Sequence, residues 1–92
     1  MRYPRTILFV DLSGFTAFIQ RTDDDQAKAM LKDFRAVSRD LASETGVRID
    51  KFLGDGFMAI ATDQNSGVIF AMELQRRFAE RLGDLRLRIG MA

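Results

Sequence analysis

The chain contains no cysteine and no histidine. Without cysteine there are no disulfides and no thiolate metal centres. Without histidine there is no catalytic triad, no imidazole acid–base chemistry and none of the usual zinc sites. Any metal must therefore be held through oxygen, which points to magnesium, manganese or calcium. The net charge is only +1, so electrostatics make no case for nucleic acid or for an anionic membrane. No run approaches the roughly 18 consecutive apolar residues of a membrane span. Met1-Arg-Tyr-Pro-Arg5 is basic but leads into a strand, which makes it a poor signal peptide. A cytoplasmic protein is expected, with no nucleic-acid or membrane contact by this span.

What is present is an ordinary globular composition, 47% apolar and 29% charged over 92 residues, enough for one domain. Two segments stand out: Ile7-Leu-Phe-Val-Asp-Leu-Ser-Gly-Phe-Thr16 and Lys51-Phe-Leu-Gly-Asp-Gly56. Each is an apolar, strand-like run that delivers one aspartate into a glycine turn. A carboxylate buried in a strand is costly unless it is paired or bound to a cation. Asp11 and Asp55 both call for such a reason. Brought together at strand ends, they would suit hard divalent cations carrying a nucleoside triphosphate.

Along the chain, Thr6 to Val10 reads as a central strand covered on both faces. Ser13-Gly14 breaks it, and a short helical turn follows from Thr16 to about Arg21. Thr22-Asp23-Asp24-Asp25 marks a helix start, with carboxylates at the positive end of the helix dipole. Ala27, Met30, Leu31, Phe34, Val37 and Leu41 then keep a three-four spacing, which predicts an amphipathic helix from Asp25 to about Glu44, closed by Gly46. Val47 to Leu53 and Phe57 to Ala61 flank Gly54-Asp55-Gly56, a strong hairpin signal. A second amphipathic helix is expected from about Ser66 to Leu82, burying Val68, Ala71, Met72, Leu74, Phe78 and Leu82, and ending at Gly83-Asp84. Leu85, Leu87 and Ile89 alternate with Arg86, Arg88 and Gly90 in a last, half-exposed strand.

The order β-α-β-β-α-β predicts an α+β, ferredoxin-like antiparallel sheet with helices on one face. In that topology the first and third strands are antiparallel neighbours. The end of the first, with Asp11, then meets the start of the third, with Asp55. Taken singly, each aspartate is equally well a turn residue. The run Asp23-Asp24-Asp25 lacks EF-hand spacing and reads as capping. Arg76, Arg77 and Arg81, mixed with Glu73 and Glu80, read as a solvated helix face.

Phe9-Val-Asp-Leu-Ser-Gly-Phe-Thr16 resembles the first signature of the class III adenylate/guanylate cyclase catalytic domain, and Lys51-Phe-Leu-Gly-Asp-Gly-Phe-Met-Ala-Ile60 the second. Leu87-Arg-Ile-Gly-Met-Ala92 is similar to the strand after that family's third helix. The resemblance covers residues 1–92 and implies the same ferredoxin-like core. It implies two Mg2+ or Mn2+ ions on Asp11, Asp55 and the Leu12 carbonyl, with Asp11 and Asp55 as the catalytic pair. Gly14, Phe15 and Thr16 fall where the family holds the triphosphate, and Gly54 joins them as a substrate-binding position. Lys51 matches the base-reading position; a lysine there suggests ATP rather than GTP, although without the resemblance it reads as a plain strand-edge lysine. The implied reaction is attack of the ribose 3′-oxygen on the α-phosphate, giving cyclic AMP and pyrophosphate.

The family's second base-reading residue and its transition-state asparagine and arginine come later than Ala92. The expectation is therefore a domain incomplete at its C-terminus, inactive alone, working as a homodimer or with a paired cyclase domain. A different class stays open: a catalytically silent, cyclase-like regulatory or dimerisation module. A third reading, another two-metal palm enzyme such as a diguanylate cyclase, lacks the Gly-Phe-Thr loop.

Overall fold

Two Asp caps and one glycine stop define the long helices. The computed structural model of the chain describes residues 5–79 and 86–92. Its elements are β1 (Thr6–Ser13), α1 (Phe15–Arg21), α2 (Asp24–Thr45), β2 (Val47–Leu53), β3 (Gly56–Ala61), α3 (Gln64–Phe78) and β4 (Arg86–Met91). The Gln26 amide donates to the Asp23 carboxylate at 2.8 Å, and Gly46 ends α2 at φ 74°. The Ser66 amide donates to Asp63 at 2.7 Å to start α3. These bonds satisfy helix-end amides that would otherwise lack partners.

The strands form one antiparallel sheet in the order β2-β3-β1-β4. With α2 and α3 packed against it, this is the ferredoxin-like α+β palm expected from the element order. The core lies between the helices and one sheet face. Leu8, Val10 and Leu12 of β1 and Phe57, Ala59 and Ala61 of β3 meet Phe34, Leu41, Phe70, Leu74 and Phe78 of the helices. Phe34 lies 5.7 Å from Phe57 and 5.6 Å from Phe78, ring centroid to centroid. Each such pair adds about 0.5–1.5 kcal/mol beyond its burial.

Three expectations need correction. β1 is not covered on both faces: its burial alternates, and Ile7 and Phe9 (52% exposed) lie on the face away from the helices. Both long helices pack on the same side, so the apolar run supplies two faces but only one is sealed. Asp11 follows the same alternation and is exposed rather than buried, while Asp55 is half-buried. The third correction concerns α3. Its inward face carries Gly67, Phe70, Leu74 and Phe78, whereas Val68 and Met72 (66% exposed) point outward. Gly67 sets that rotation, because a Cβ there would lie 3.3 Å from Thr6 and from Met91 and 3.5 Å from Ala61.

Element ends differ by a residue or two from expectation: α1 starts at Phe15, α2 spans Asp24–Thr45 and β3 starts at Gly56. The expected helix end at Leu82 and Gly83-Asp84, and Leu85, lie outside the described residues. No helix among the described residues is long and apolar enough to cross a membrane.

Candidate functional site

The site is built where β1 ends and the β2–β3 hairpin turns. Asp11 is the cross-strand partner of Gly56, and the Leu12 amide donates to the Asp55 carbonyl at 3.0 Å. Two carboxylates remote in sequence therefore lie at one end of two neighbouring strands. The reciprocal bond, from the Asp55 amide to the Leu12 carbonyl, is not formed. In a strand, N–H and C=O of one residue point the same way, so the Leu12 carbonyl faces the hairpin tip.

Two open depressions meet at these residues. One, of about 460 Å³, lies on the uncovered sheet face and is lined by Phe9, Asp11, Leu53, Asp55 and Arg88. The other, of about 470 Å³, is lined by Asp11, Ser13, Gly14, Phe15, Asp55 and Arg88. Gly14 enters α1 at φ 85°, without a side-chain cap on the helix. Phe15 lines this depression and is itself buried. Thr16 sits in the first turn of α1.

Lys51 is exposed and shares the open sheet face with Asp11, but it is not brought to the aspartates. It pairs with Met58, which pairs with Phe9, so it stands two strands from β1 and one row below Asp11. Two strand spacings are roughly 10 Å. Its orientation depends on a register shift between Ile49 and Lys51. Val47 and Ile49 face the helices; strict alternation would send Lys51 the same way and turn Phe52 out. Asp50, the extra residue, restores the opposite pattern. Gly54 occupies the turn at φ 61°.

Arg88 is the site residue that sequence reasoning passed over. It pairs with Asp11 across the β1–β4 ladder and lines both depressions. Neither side chain forms an ion pair among the described residues. The signal was the alternation Leu87-Arg88-Ile89, which becomes informative once β4 is placed beside β1.

The donor set consists of oxygen alone. No group of three potential ligating side chains gathers among the described residues. Two carboxylates with a backbone carbonyl suit magnesium, which takes one or two protein carboxylates and fills its shell with water and substrate phosphates. The residues present fit that kind of cation.

Residues 3–92 match the model of the adenylate and guanylate cyclase catalytic domain. An uncharacterised protein of Mycobacterium tuberculosis is 33% identical over 84 residues, covering 91% of this chain and 22% of that protein. An adenylate cyclase of Streptomyces coelicolor is 31% identical over 84 residues, with the same two coverages. The guanylate cyclase domain of Catenaria anguillulae RhGC, solved in complex with GTP, superposes with a TM-score of 0.84 at 22% identity, covering 97% of this chain and 56% of that one. The chain thus spans about a fifth of these curated relatives and little more than half of the solved domain. By the match over residues 3–92, the chain belongs to the adenylate and guanylate cyclase catalytic domain family.

Proposed function

We propose that this chain supplies the metal-binding part of a nucleotidyl cyclase site that converts ATP to 3′,5′-cyclic AMP and pyrophosphate. The observation that carries the reading is the juxtaposition of Asp11 and Asp55 through the Leu12–Asp55 backbone bond, beside the two open depressions. Asp11 and Asp55, with the Leu12 carbonyl, would hold two Mg2+ or Mn2+ ions. Bound there, such cations supply Lewis acidity at the ribose 3′-oxygen and neutralise phosphate charge.

The remaining roles belong to the chain itself. Arg88 donates to phosphate oxygens from the strand next to Asp11, where a planar guanidinium offers paired donors. The backbone of Gly14, Phe15 and Thr16 contributes amides along the second depression, and Gly54 gives the Asp55 turn its left-handed geometry. Lys51, too far from its own aspartates, reads the adenine in the site of a second protomer or a paired cyclase domain. The Streptomyces coelicolor relative is named an adenylate cyclase, and Lys51 favours ATP over GTP.

The test is isothermal calorimetry of ATP with the full protein in the presence and absence of manganese, together with a cyclic-AMP assay. Binding is expected to require the metal and to vanish in Asp11→Ala and Asp55→Ala. Binding that is indifferent to manganese and to both substitutions would sink the reading.

A further inference from the structure

We infer that Arg35 is a positioning residue for the Asp55 turn: from α2 it holds the hairpin tip and thereby sets the metal affinity of a site it does not touch. This rests on the cyclase reading above.

The hairpin tip is held at two successive carbonyls. The Asp55 carbonyl accepts from the Leu12 amide of β1 at 3.0 Å. The Gly54 carbonyl accepts from Arg35 Nη2 at 3.1 Å, across the α2 side. Nothing lies within 4 Å of where a Gly54 side chain would begin. On this side of the turn, beyond the Asp11–Gly56 and Leu53–Gly56 ladder pairs, the Arg35 bond is what ties the Gly54 carbonyl to the helix layer.

Arg35 is itself aimed by the core. Its Cζ lies 5.4 Å from the centroid of Phe52, and that ring meets Phe57 edge-on at 5.7 Å. A guanidinium over an aromatic face is attracted by the ring quadrupole. Arg39, one turn along α2, stacks on the same ring at 4.9 Å. Arg35 Nε is shielded from solvent with no hydrogen-bond partner. The arginine holds this pose against a desolvation cost that the ring stack and the Gly54 bond must offset. The chain of support runs from Phe57 to Phe52, to Arg35, to the Gly54 carbonyl and so to Asp55.

A metal-ligating carboxylate has to be held closely, and loss of an outer-shell partner typically lowers metal affinity on the order of 10–100-fold. Arg35 acts one step further out, on the Gly54 backbone carbonyl next to Asp55, and touches neither the carboxylate nor the cation.

The experiment compares the full wild-type protein with Arg35→Gln and with Arg39→Gln, which removes a cation from the Phe52 ring but no bond to the tip. Three quantities are read: amide hydrogen exchange at the tip, followed at Leu12, whose amide bonds the Asp55 carbonyl, and at the ladder residue Gly56; the manganese concentration that half-saturates ATP binding; and the melting temperature. In Arg35→Gln, exchange at the tip is expected to rise about tenfold and the manganese requirement by a similar factor. The melting temperature and exchange elsewhere stay near wild type, and Arg39→Gln leaves all three near wild type. Unchanged tip exchange, an unchanged manganese requirement, exchange rising across the whole sheet, or an equal effect in Arg39→Gln each overturn the inference. Wild-type protein that binds ATP without regard to manganese overturns the cyclase reading instead. The Arg35 tether is then decided by exchange at the tip alone.

Discussion

Gly56 and Asp11 face each other across the β1–β3 ladder so closely that a Cβ on Gly56 would collide with the Val10 carbonyl oxygen and lie 2.9 Å from the Asp11 Cβ. The two glycines around Asp55 therefore do different jobs. Gly54 supplies a left-handed turn conformation, φ 61°, in open space. Gly56 supplies close backbone approach, which lets the hairpin tip settle against the strand that carries Asp11.

This difference separates two alanine variants. Gly54→Ala forces an alanine into left-handed geometry, at a cost of roughly 1–2 kcal/mol, while clashing with nothing. Gly56→Ala must push β3 away from β1 at the site itself. The expected outcome is a modest drop in melting temperature with metal-dependent ATP binding retained for Gly54→Ala. A larger drop with binding abolished is expected for Gly56→Ala. Calorimetry showing wild-type binding in Gly56→Ala would refute the close-approach role.

Arg88 offers a cleaner test of charge, since it is exposed and its removal leaves no cavity. Arg88→Gln should leave the melting temperature within about 4 °C of wild type, the size expected for a surface change within ±0.5 kcal/mol. ATP binding with manganese should weaken clearly, by more than binding of a ligand without phosphates such as adenosine. Equal losses for ATP and adenosine would show that Arg88 does not face the phosphates.

The adjacency of Asp11 and Asp55 was legible because it needs only element order and one hairpin signal, both strong in this chain. Other features lie below what residue patterns carry. Ile7 and Phe9 are apolar whether a sheet is sealed on one side or two, so the open face was invisible. The Asp50 bulge is a single extra residue, and no hydropathy pattern distinguishes it from a strand whose alternation slips at Lys51. On α3, Val68 and Met72 outrank Gly67 in hydropathy, yet it is the missing side chain of Gly67 that lets the helix rest on Thr6 and Ala61. Close approach is a property of absent atoms, and a periodicity count cannot register it.

The orientation of α3 can be checked by substitution. Phe70 is fully buried, and Phe70→Ala should cost about 3–5 kcal/mol, the range for truncating a core phenylalanine. Met72→Gln, on the outward face, should change stability by less than about 0.5 kcal/mol. Urea unfolding measures both. A Met72→Gln cost comparable to that of Phe70→Ala would restore the face that the hydrophobic spacing alone suggested.

Asp63 links the start of α3 to pH. The Ser66 backbone amide, reinforced by its hydroxyl and by Thr62, holds this carboxyl below the ordinary aspartate value of 3.8 despite the opposing effect of desolvation. A carboxylate whose pKa is depressed on folding binds fewer protons in the folded than in the unfolded state. Its stabilisation is therefore fully present above pH 3.8 and is lost as pH falls through the lower folded value. Asp63→Asn keeps a side-chain oxygen for the Ser66 amide but removes the titration and the charge that favours a helix N-terminus. Wild type should exceed Asp63→Asn in melting temperature at neutral pH, and the gap should close as the medium is acidified below the ordinary aspartate range. The comparison is best run as paired thermal melts across pH 2–7 in one buffer series. A gap that stays constant from neutral to acid pH would mean the cap acts through shape alone, with no contribution from the ionised carboxylate.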